Sequence, residues 1–254
     1  MELKKTFVII SVSDRVDMLN NLVESIMRYD KFKDYDLCLM FQDYTGNRDE
    51  IKYKDKYATI IYADEPLGCH WARVELLQNI KYDIYVNLDD DVELGEYTSY
   101  DKAIEKALEP DTGFVLTNWA RSDKAMETKI PKIQDKFVKQ VLIYQGGGMI
   151  YSDKIAELMR TLPKEKYRYD DLWSLTAYIE GYSNYRYLGS LTVHRILGQG
   201  GMKRFMRRAI RPLACWDYID YRKIEGARMG EEYCIGVDSD LKPIVRELHK
   251  KNKK

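Results

Sequence analysis

Four short apolar runs in the first ninety residues constrain the fold of this chain most. They are "TFVIISVS" (6–13), "YDLCLMFQD" (35–43), "YATIIYAD" (57–64) and "DIYVNL" (83–88). Apolar, β-branched runs of this length are typical of strands that are buried on both faces, as in parallel sheets. With helical segments after the first and third runs, they predict an α/β protein: a mostly parallel sheet, flanked by helices and joined by right-handed crossovers.

Those two segments have the periodicity of amphipathic helices. Ser13 or Asp14 can cap the first helix, and "GCHWARVELLQNI" (68–80) forms the second. The apolar positions that define them are Leu19, Leu22, Val23, Ile26 and Met27 in the first, and Trp71, Val74, Leu77 and Ile80 in the second.

The second half of the chain continues the pattern less regularly. Strands are predicted at 113–120 and 185–196, a helix at 170–182, and a strand, a triple-glycine turn and a helix within 141–162. No Pro/Gly-rich linker separates the halves, so we expect a single domain over residues 1–200. We assign residues 201–254 to a basic helical extension that packs on it.

The composition argues against several classes of function. Lys plus Arg and Asp plus Glu both number 41, so the zero net charge provides no general attraction to nucleic acid or acidic polymers. Cys38, Cys69, Cys215 and Cys234 form no C-x-x-C pair, which predicts free thiols instead of disulfides or a zinc site. No run reaches transmembrane length and no cleavable signal pattern is present, which predicts a cytoplasmic protein.

Polar residues follow the predicted strands at positions that share one edge of a parallel sheet. They are Ser11, Asp43, Asp64 and the Asp triplet, Asp89–Asp91, within "YVNLDDDVEL". Ligands of such sheets bind beyond the carboxyl ends of the strands. Three adjacent carboxylates repel one another, so at the end of a central strand they need a cation or an array of donors. A solvated turn is the alternative interpretation of the triplet.

Taken in order, the motifs resemble those of glycosyltransferases of the GT-A fold, closest to the family 2 type, over roughly residues 6–196. "FVIISVSDR" (7–15) is an opening strand that precedes a helix, "EPLGCHWAR" (65–73) is similar to the N-x-G…A-R segment, and "LDDD" (88–91) fits the D-x-D motif. "GGGMIY" (146–151) resembles the glycine-rich acceptor segment, and "YDDLW" (169–173) resembles the E-D motif of the catalytic base. Two departures, "QDYTGN" after the second strand and Asp170 in place of glutamate, leave the nucleotide base and the sugar open.

The resemblance implies a divalent cation, Mn²⁺ or Mg²⁺, that bridges the phosphates of a nucleotide-sugar. It makes Asp91 the main metal ligand, places Asp89 on the ribose or on the metal through water, and leaves Asp90 for sugar hydroxyls. His194 lies where many such enzymes have a late metal-binding histidine, and an imidazole ligand favours Mn²⁺. A strand histidine satisfied by hydrogen bonds is the alternative for His194.

Three further residues are assigned to the nucleotide-sugar donor. A carboxylate at Asp43 can accept the imide N–H of uracil, which favours UDP, although guanine also offers donors and GDP stays open. Arg73 can pair with the diphosphate or with the Asp triplet, or it is a surface arginine. Ser11 lets the backbone approach the nucleotide. The alternative for Asp43 and Ser11 is an ordinary residue at a strand end.

The resemblance assigns the acceptor side to "YDDLW" and to the glycine turn. Asp171 is the general base that takes the proton of the acceptor hydroxyl, with Asp170 as the second choice. Alternatively, both acids only favour the positive N-terminus of a helix. Gly147, in the centre of the triple glycine, lets the chain pass close to the sugar, or it belongs to a flexible turn. Three tryptophans can stack on a sugar, but core packing is the preferred interpretation: Trp119, Trp173 and Trp216.

The segment "GMKRFMRRAIRPL" (201–213) combines an apolar helical face with a basic one. Three interpretations stay open: a lid whose arginines close over the diphosphate, an amphipathic element on an anionic membrane, and a basic surface for a nucleic-acid acceptor. The hinge-like glycines of "LGQGG", just before it, favour the lid.

Together these features predict a metal-dependent, inverting glycosyltransferase whose acceptor is a glycan, a lipid-linked glycan or a modified nucleic acid. A non-catalytic nucleotide-sugar binder of the same fold is the main alternative, although a binder needs no base such as Asp171. A sugar nucleotidyltransferase ranks lower, because "SVSDR" stands where such enzymes usually carry a G-x-G-x-R loop.

Overall fold

The structure is a computed structural model, and it describes residues 2–122, 133–140, 148–162, 164, 170–195, 232–237 and 243–247. Several sequence predictions concern residues outside these ranges, and they stay predictions. These residues are Gly147 with its neighbour Gly146, Cys215, Trp216 and the basic segment 201–213.

The described strands are β1 (Lys5–Val12), β2 (Tyr35–Gln42), β3 (Tyr57–Ala63), β4 (Ile84–Asp89), β5 (Val92–Glu93), β6 (Thr112–Ser122), β7 (Phe137–Gln140), β8 (Met149–Ser152), β9 (Ser183–Arg195), β10 (Glu232–Val237) and β11 (Pro243–Glu247). The α-helices are α1 (Val16–Met27), α2 (Cys69–Gln78), α3 (Asp101–Ala107), α4 (Asp153–Arg160) and α5 (Asp170–Ile179). Within the described ranges, the strands and helices predicted for residues 1–200 are confirmed to within a few residues. The helical extension predicted for residues 201–254 is wrong where the structure describes it, because β10 and β11 are strands that pair antiparallel. No helix in these ranges is long and apolar enough to cross a membrane.

The main sheet has the strand order β3-β2-β1-β4-β8-β6-β9-β5, and β7 also pairs with β9. Strands β3, β2, β1 and β4 are mutually parallel, as the sequence predicts. In the second half, β6 and β9 are parallel, whereas β8, β5 and β7 add antiparallel pairs. Because the strand order reverses between β1 and β4, a crevice forms beyond their carboxyl ends, where such sheets bind ligands.

Helices cover both faces of the sheet, because successive side chains of each buried strand point to opposite sides. Phe7 and Ile9 of β1 pack into the core beneath α1 and α3. Val8 and Ile10 pack into the second core, beneath α2, α4 and α5. The central strands are therefore buried on both faces, and polar groups at their ends are held in a rigid frame.

Gly148 lies just before β8, where the second half of the sheet joins the first. Its N–H donates to the Asn87 carbonyl at 2.8 Å, and its carbonyl accepts from the Thr117 N–H at 2.9 Å. The backbone has φ +75°, and a Cβ atom here would overlap Thr117 Oγ1 and lie 3.1 Å from Thr192 Oγ1. Glycine is therefore required here for both backbone and space.

The substitution Gly148→Ala is expected to lower the free energy of unfolding by about 2–4 kcal/mol, because backbone strain and steric overlap add. Gly181→Ala is the matched control, since Gly181 has φ +95° but a Cβ atom there would meet nothing within 4 Å. It should cost about 1 kcal/mol, the strain alone. Chemical denaturation of both variants measures the difference, and equal losses would show that Thr117 moves aside without cost.

Candidate functional site

Four polar positions lie at the carboxyl ends of the parallel strands. Ser11 lies near the end of β1, Asp43 and Asp64 follow β2 and β3 directly, and Asp89 ends β4. The register pairs Ile10 with Asp89, so Ser11 and Asp90 lie side by side at the crevice between β1 and β4. The structure thus places these residues along the sheet edge that the sequence predicted.

Asp90, the central residue of the Asp triplet, points into the protein. Its carboxylate accepts a 2.8 Å hydrogen bond from Ser11 Oγ and another of 2.8 Å from Arg15 Nη1. Arg15 ends the short 3₁₀ turn after β1 (Ser13–Arg15), and its Nη1 also lies 3.4 Å from Asp91 Oδ2. Ser11 and Arg15 therefore provide donors that hold two of the three carboxylates together.

Asp89 is paired with a second arginine, which comes from the other side of the crevice. Arg73 on α2 is only 2% exposed, and its Nη2 donates to Asp89 Oδ1 at 2.5 Å. The structure therefore shows Arg73 paired with the Asp triplet. Its burial excludes the alternative of a surface arginine. A buried guanidinium needs such a charged partner.

The two guanidinium groups offset only part of the charge of three carboxylates. Burial raises the pKa of Asp90 to about 6, against the lowering effect of Arg15. Burial, and then the charge of Asp89, raise the pKa of Asp91 to about 6. Burial and mutual repulsion thus disfavour the full negative charge of the triplet, and an added cation would stabilise it.

The predicted metal ligands are Asp89, Asp91 and His194. Among the described residues, no three His, Cys, Asp or Glu side chains are grouped so that they could hold a metal ion. His194 lies in β9 and pairs with Val92, the residue that follows Asp91 in the chain. Of His194, only the backbone is described. Asp89 and Asp91 are hard oxygen donors, with side chains 31% and 14% exposed. Two such carboxylates beside substrate phosphates suit Mg²⁺ or Mn²⁺, which take few protein ligands.

Asp43 organises the loop after β2, within the segment "QDYTGN" that departs from the family pattern. Its Oδ1 accepts from the Asn47 N–H at 2.7 Å, and its Oδ2 accepts from Arg48 Nε at 2.6 Å. Arg48 also donates to Asp64 at 2.8 Å. Both oxygens of Asp43 are thus used by its own loop, and a contact with a nucleotide base would need their remaining lone pairs.

Helix α5 begins at Asp170, so Asp170 and Asp171 occupy its first turn, as the sequence predicts. Their side chains lie outside the described residues. Trp173, in the same turn, is buried in the core, which agrees with the preferred interpretation of this tryptophan. Its Nε1 donates to Nδ1 of buried His70 on α2 at 2.8 Å.

The sequence analysis did not single out Arg15 or His70. Arg15 follows β1 at the same edge as Ser11, so its position after the strand was the available signal. His70 lies three residues before Arg73 and therefore on the same helix face. The sequence around His70 carries no signal for its partner, because Trp173 lies about a hundred residues away along the chain.

Comparison with known proteins finds similarity in structure only. No protein-family profile matches the sequence, and no curated protein matches it. The mannosyltransferase PcManGT from Pyrobaculum calidifontis, in complex with GDP-Man and Mn²⁺, matches with TM-score 0.61 and 14% identity, over 82% of this chain and 62% of that chain. TarS 1–349 from S. aureus, in complex with UDP-GlcNAc, matches with TM-score 0.58 and 15% identity, over 78% and 60%.

GalNAc-T7 with UDP, GalNAc and Mn²⁺ matches with TM-score 0.55 and 12% identity, over 76% of this chain and 44% of that chain. The chain therefore spans less than two thirds of the length of each of these proteins. At this level of identity the likeness concerns the fold. It confirms the fold expected from the sequence motifs: the chain has the GT-A fold.

Proposed function

We propose that this protein is a glycosyltransferase that moves a sugar from a nucleoside diphosphate donor to an acceptor hydroxyl with inversion at the anomeric carbon. One observation carries the proposal. Three carboxylates, Asp89–Asp91, are held by Arg15 and Arg73 at the carboxyl end of β4, at the crevice where the strand order reverses. Such an array is costly to assemble and unnecessary for folding, because an apolar pair of the same shape would serve stability as well.

Asp89 and Asp91 would hold the divalent cation, with His194 as a further ligand. When bound, the cation supplies positive charge to the diphosphate oxygens as the anomeric bond breaks. Arg73 and Arg15 lie at the same edge and orient the carboxylates through the hydrogen bonds described above. They also reduce the repulsion among the carboxylates, so that the triplet is formed before the donor arrives.

Asp171 is the general base of the proposal. It would accept the proton of the acceptor hydroxyl while that oxygen attacks the anomeric carbon from the side opposite the diphosphate. One in-line displacement inverts the configuration. Asp170, its neighbour in the first turn of α5, is the second choice for this role.

UDP is the proposed nucleotide of the donor, and GDP is the alternative. Solved structures of the same fold support a nucleotide-sugar donor in general, since TarS was solved with UDP-GlcNAc and PcManGT with GDP-Man. The acceptor classes stay those of the sequence analysis: a glycan, a lipid-linked glycan or a modified nucleic acid. We further propose that the protein acts in the cytoplasm, with residues 201–213 as a lid, a peripheral membrane contact or a nucleic-acid contact.

A screen of UDP- and GDP-sugars, each with and without Mn²⁺, tests the proposal. Thermal shift identifies the donor that binds, and mass spectrometry then detects its transfer or its slow hydrolysis to nucleoside diphosphate. A donor that is bound and turned over supports a transferase. Binding without any turnover, across acceptors of all three classes, would instead favour the non-catalytic nucleotide-sugar binder.

A further inference from the structure

A buried hydrogen bond joins the two helices that flank the candidate site. Nε1 of Trp173 on α5 donates to Nδ1 of His70 on α2 at 2.8 Å. Both side chains are 1% exposed, and their rings meet edge to face with centroids 6.2 Å apart. Because Nδ1 accepts, the imidazole is neutral and carries its proton on Nε2.

Each end of this bond lies close along its helix to a residue of the proposed chemistry. On α2, His70 lies three residues before Arg73, the partner of Asp89. On α5, Trp173 lies two residues after Asp171. The bond therefore ties the first turn of α5 to the helix that supports the Asp triplet.

Apolar packing around the indole and a second hydrogen bond also hold this part of α5, since Asn184 Nδ2 donates to the Ser174 carbonyl at 2.7 Å. The indole of Trp173 contacts Phe114 and Tyr151, with ring centroids 6.2 Å and 5.9 Å away. Such contacts bury the ring but are not directional, whereas a hydrogen bond defines both the distance and the angle of its donor. A general base must lie within hydrogen-bond reach of its proton, and a displacement of about 1 Å can cost about 10²-fold in rate.

We propose that His70 is a positioning residue, which holds the first turn of α5, and with it Asp171, against the helix that supports the Asp triplet. The inference rests on the proposed function. It assigns no chemical step to His70 itself, which acts through Trp173.

Two substitutions at His70 separate positioning from simple packing. His70→Leu removes the acceptor and leaves the buried indole N–H unpaired, whereas His70→Asn can place its amide oxygen near the position of Nδ1. Hydrogen exchange at residues 170–174 should become faster in His70→Leu and return toward the wild-type rate in His70→Asn. In the transfer assay, His70→Leu should lower kcat by about 10- to 10²-fold and leave the KM for the donor unchanged. His70→Asn should recover most of the lost kcat.

Trp173→Phe provides an independent variant, since it removes the N–H and keeps an aromatic ring. It should reproduce His70→Leu, and the double variant should lose no more than either single one. Two results would overturn the proposal. One is an unchanged rate of hydrogen exchange at residues 170–174 in both His70→Leu and Trp173→Phe. The other is a loss of kcat in His70→Asn as large as that in His70→Leu. If the wild type turns over no nucleotide-sugar, the proposed function fails, while hydrogen exchange still decides whether His70 holds α5.

Discussion

Asp171→Asn is expected to lower the rate of sugar transfer by about 10²- to 10⁴-fold. Asparagine keeps the size of the side chain and its hydrogen-bonding oxygen in the first turn of α5, but it cannot take a proton from the acceptor hydroxyl. The affinity for the donor should barely change, because the donor is expected to contact the Asp triplet and Arg73 instead. Steady-state kinetics give kcat, and calorimetry with the donor gives its Kd.

Asp170→Asn is the matched control, since it makes the same chemical change one residue earlier in the same helical turn. A normal rate in Asp171→Asn, together with a loss in Asp170→Asn, would exchange the roles of the two aspartates. Proton NMR of the product gives the anomeric configuration. A product that retains the configuration of the donor, or normal rates in both variants, would contradict the inverting mechanism.

Chelation of divalent cations is expected to weaken UDP binding by about 10²-fold, because a bridging cation contributes several kcal/mol where phosphate charge meets carboxylate charge. Burial first, and then the neighbouring carboxylates, already disfavour negative charge at Asp90 and Asp91 and raise the pKa of each to about 6. Asp91→Ala should abolish the difference between Mn²⁺ and EDTA. Calorimetry of UDP binding under both conditions measures it, and titration with Mn²⁺ alone provides a second readout.

Asp64→Ala is the control for this second experiment. Asp64 lies at the same sheet edge, but its side chain is 87% exposed and pairs with Arg48, away from the triplet. Binding of UDP to this variant should keep its full dependence on the cation. Equal affinity of the wild type in Mn²⁺ and in EDTA would remove the metal from the proposed mechanism and leave Arg15 and Arg73 as the groups that neutralise the phosphates.

The parts of the fold that the sequence predicts well are those with long and strong patterns. Strands β1 to β4 are continuous apolar runs, and α1 has buried residues at the predicted positions Leu19, Leu22, Val23 and Ile26. The elements without a correct prediction are short: β5 has two residues, β7 and β8 have four each, α3 has seven, and β10 and β11 have six and five. Such elements owe their stability to the neighbours they pair with or pack against, and their own sequence is too brief to show a period.

The sequence by itself determined which residues lie at the edge of the sheet formed by the carboxyl ends of the parallel strands. Parallel strands all point the same way, so the residue after each strand must lie on one side of the sheet. The order of the strands alone was enough to place Ser11, Asp43 and the Asp triplet at this edge. The ordered motifs, in turn, indicated the GT-A fold.

Only the tertiary structure decided which partner each of these groups meets. Hydrogen bonds at the site join residues that are far apart in the chain, and their geometry depends on how α1, α2 and α5 pack over the sheet. Asp90 turns inward to Ser11 and Arg15, while Asp89, one residue earlier, faces the opposite way toward Arg73. Alternation along a strand separates neighbouring side chains in this way, but a periodic pattern does not show which helix will supply the matching charge.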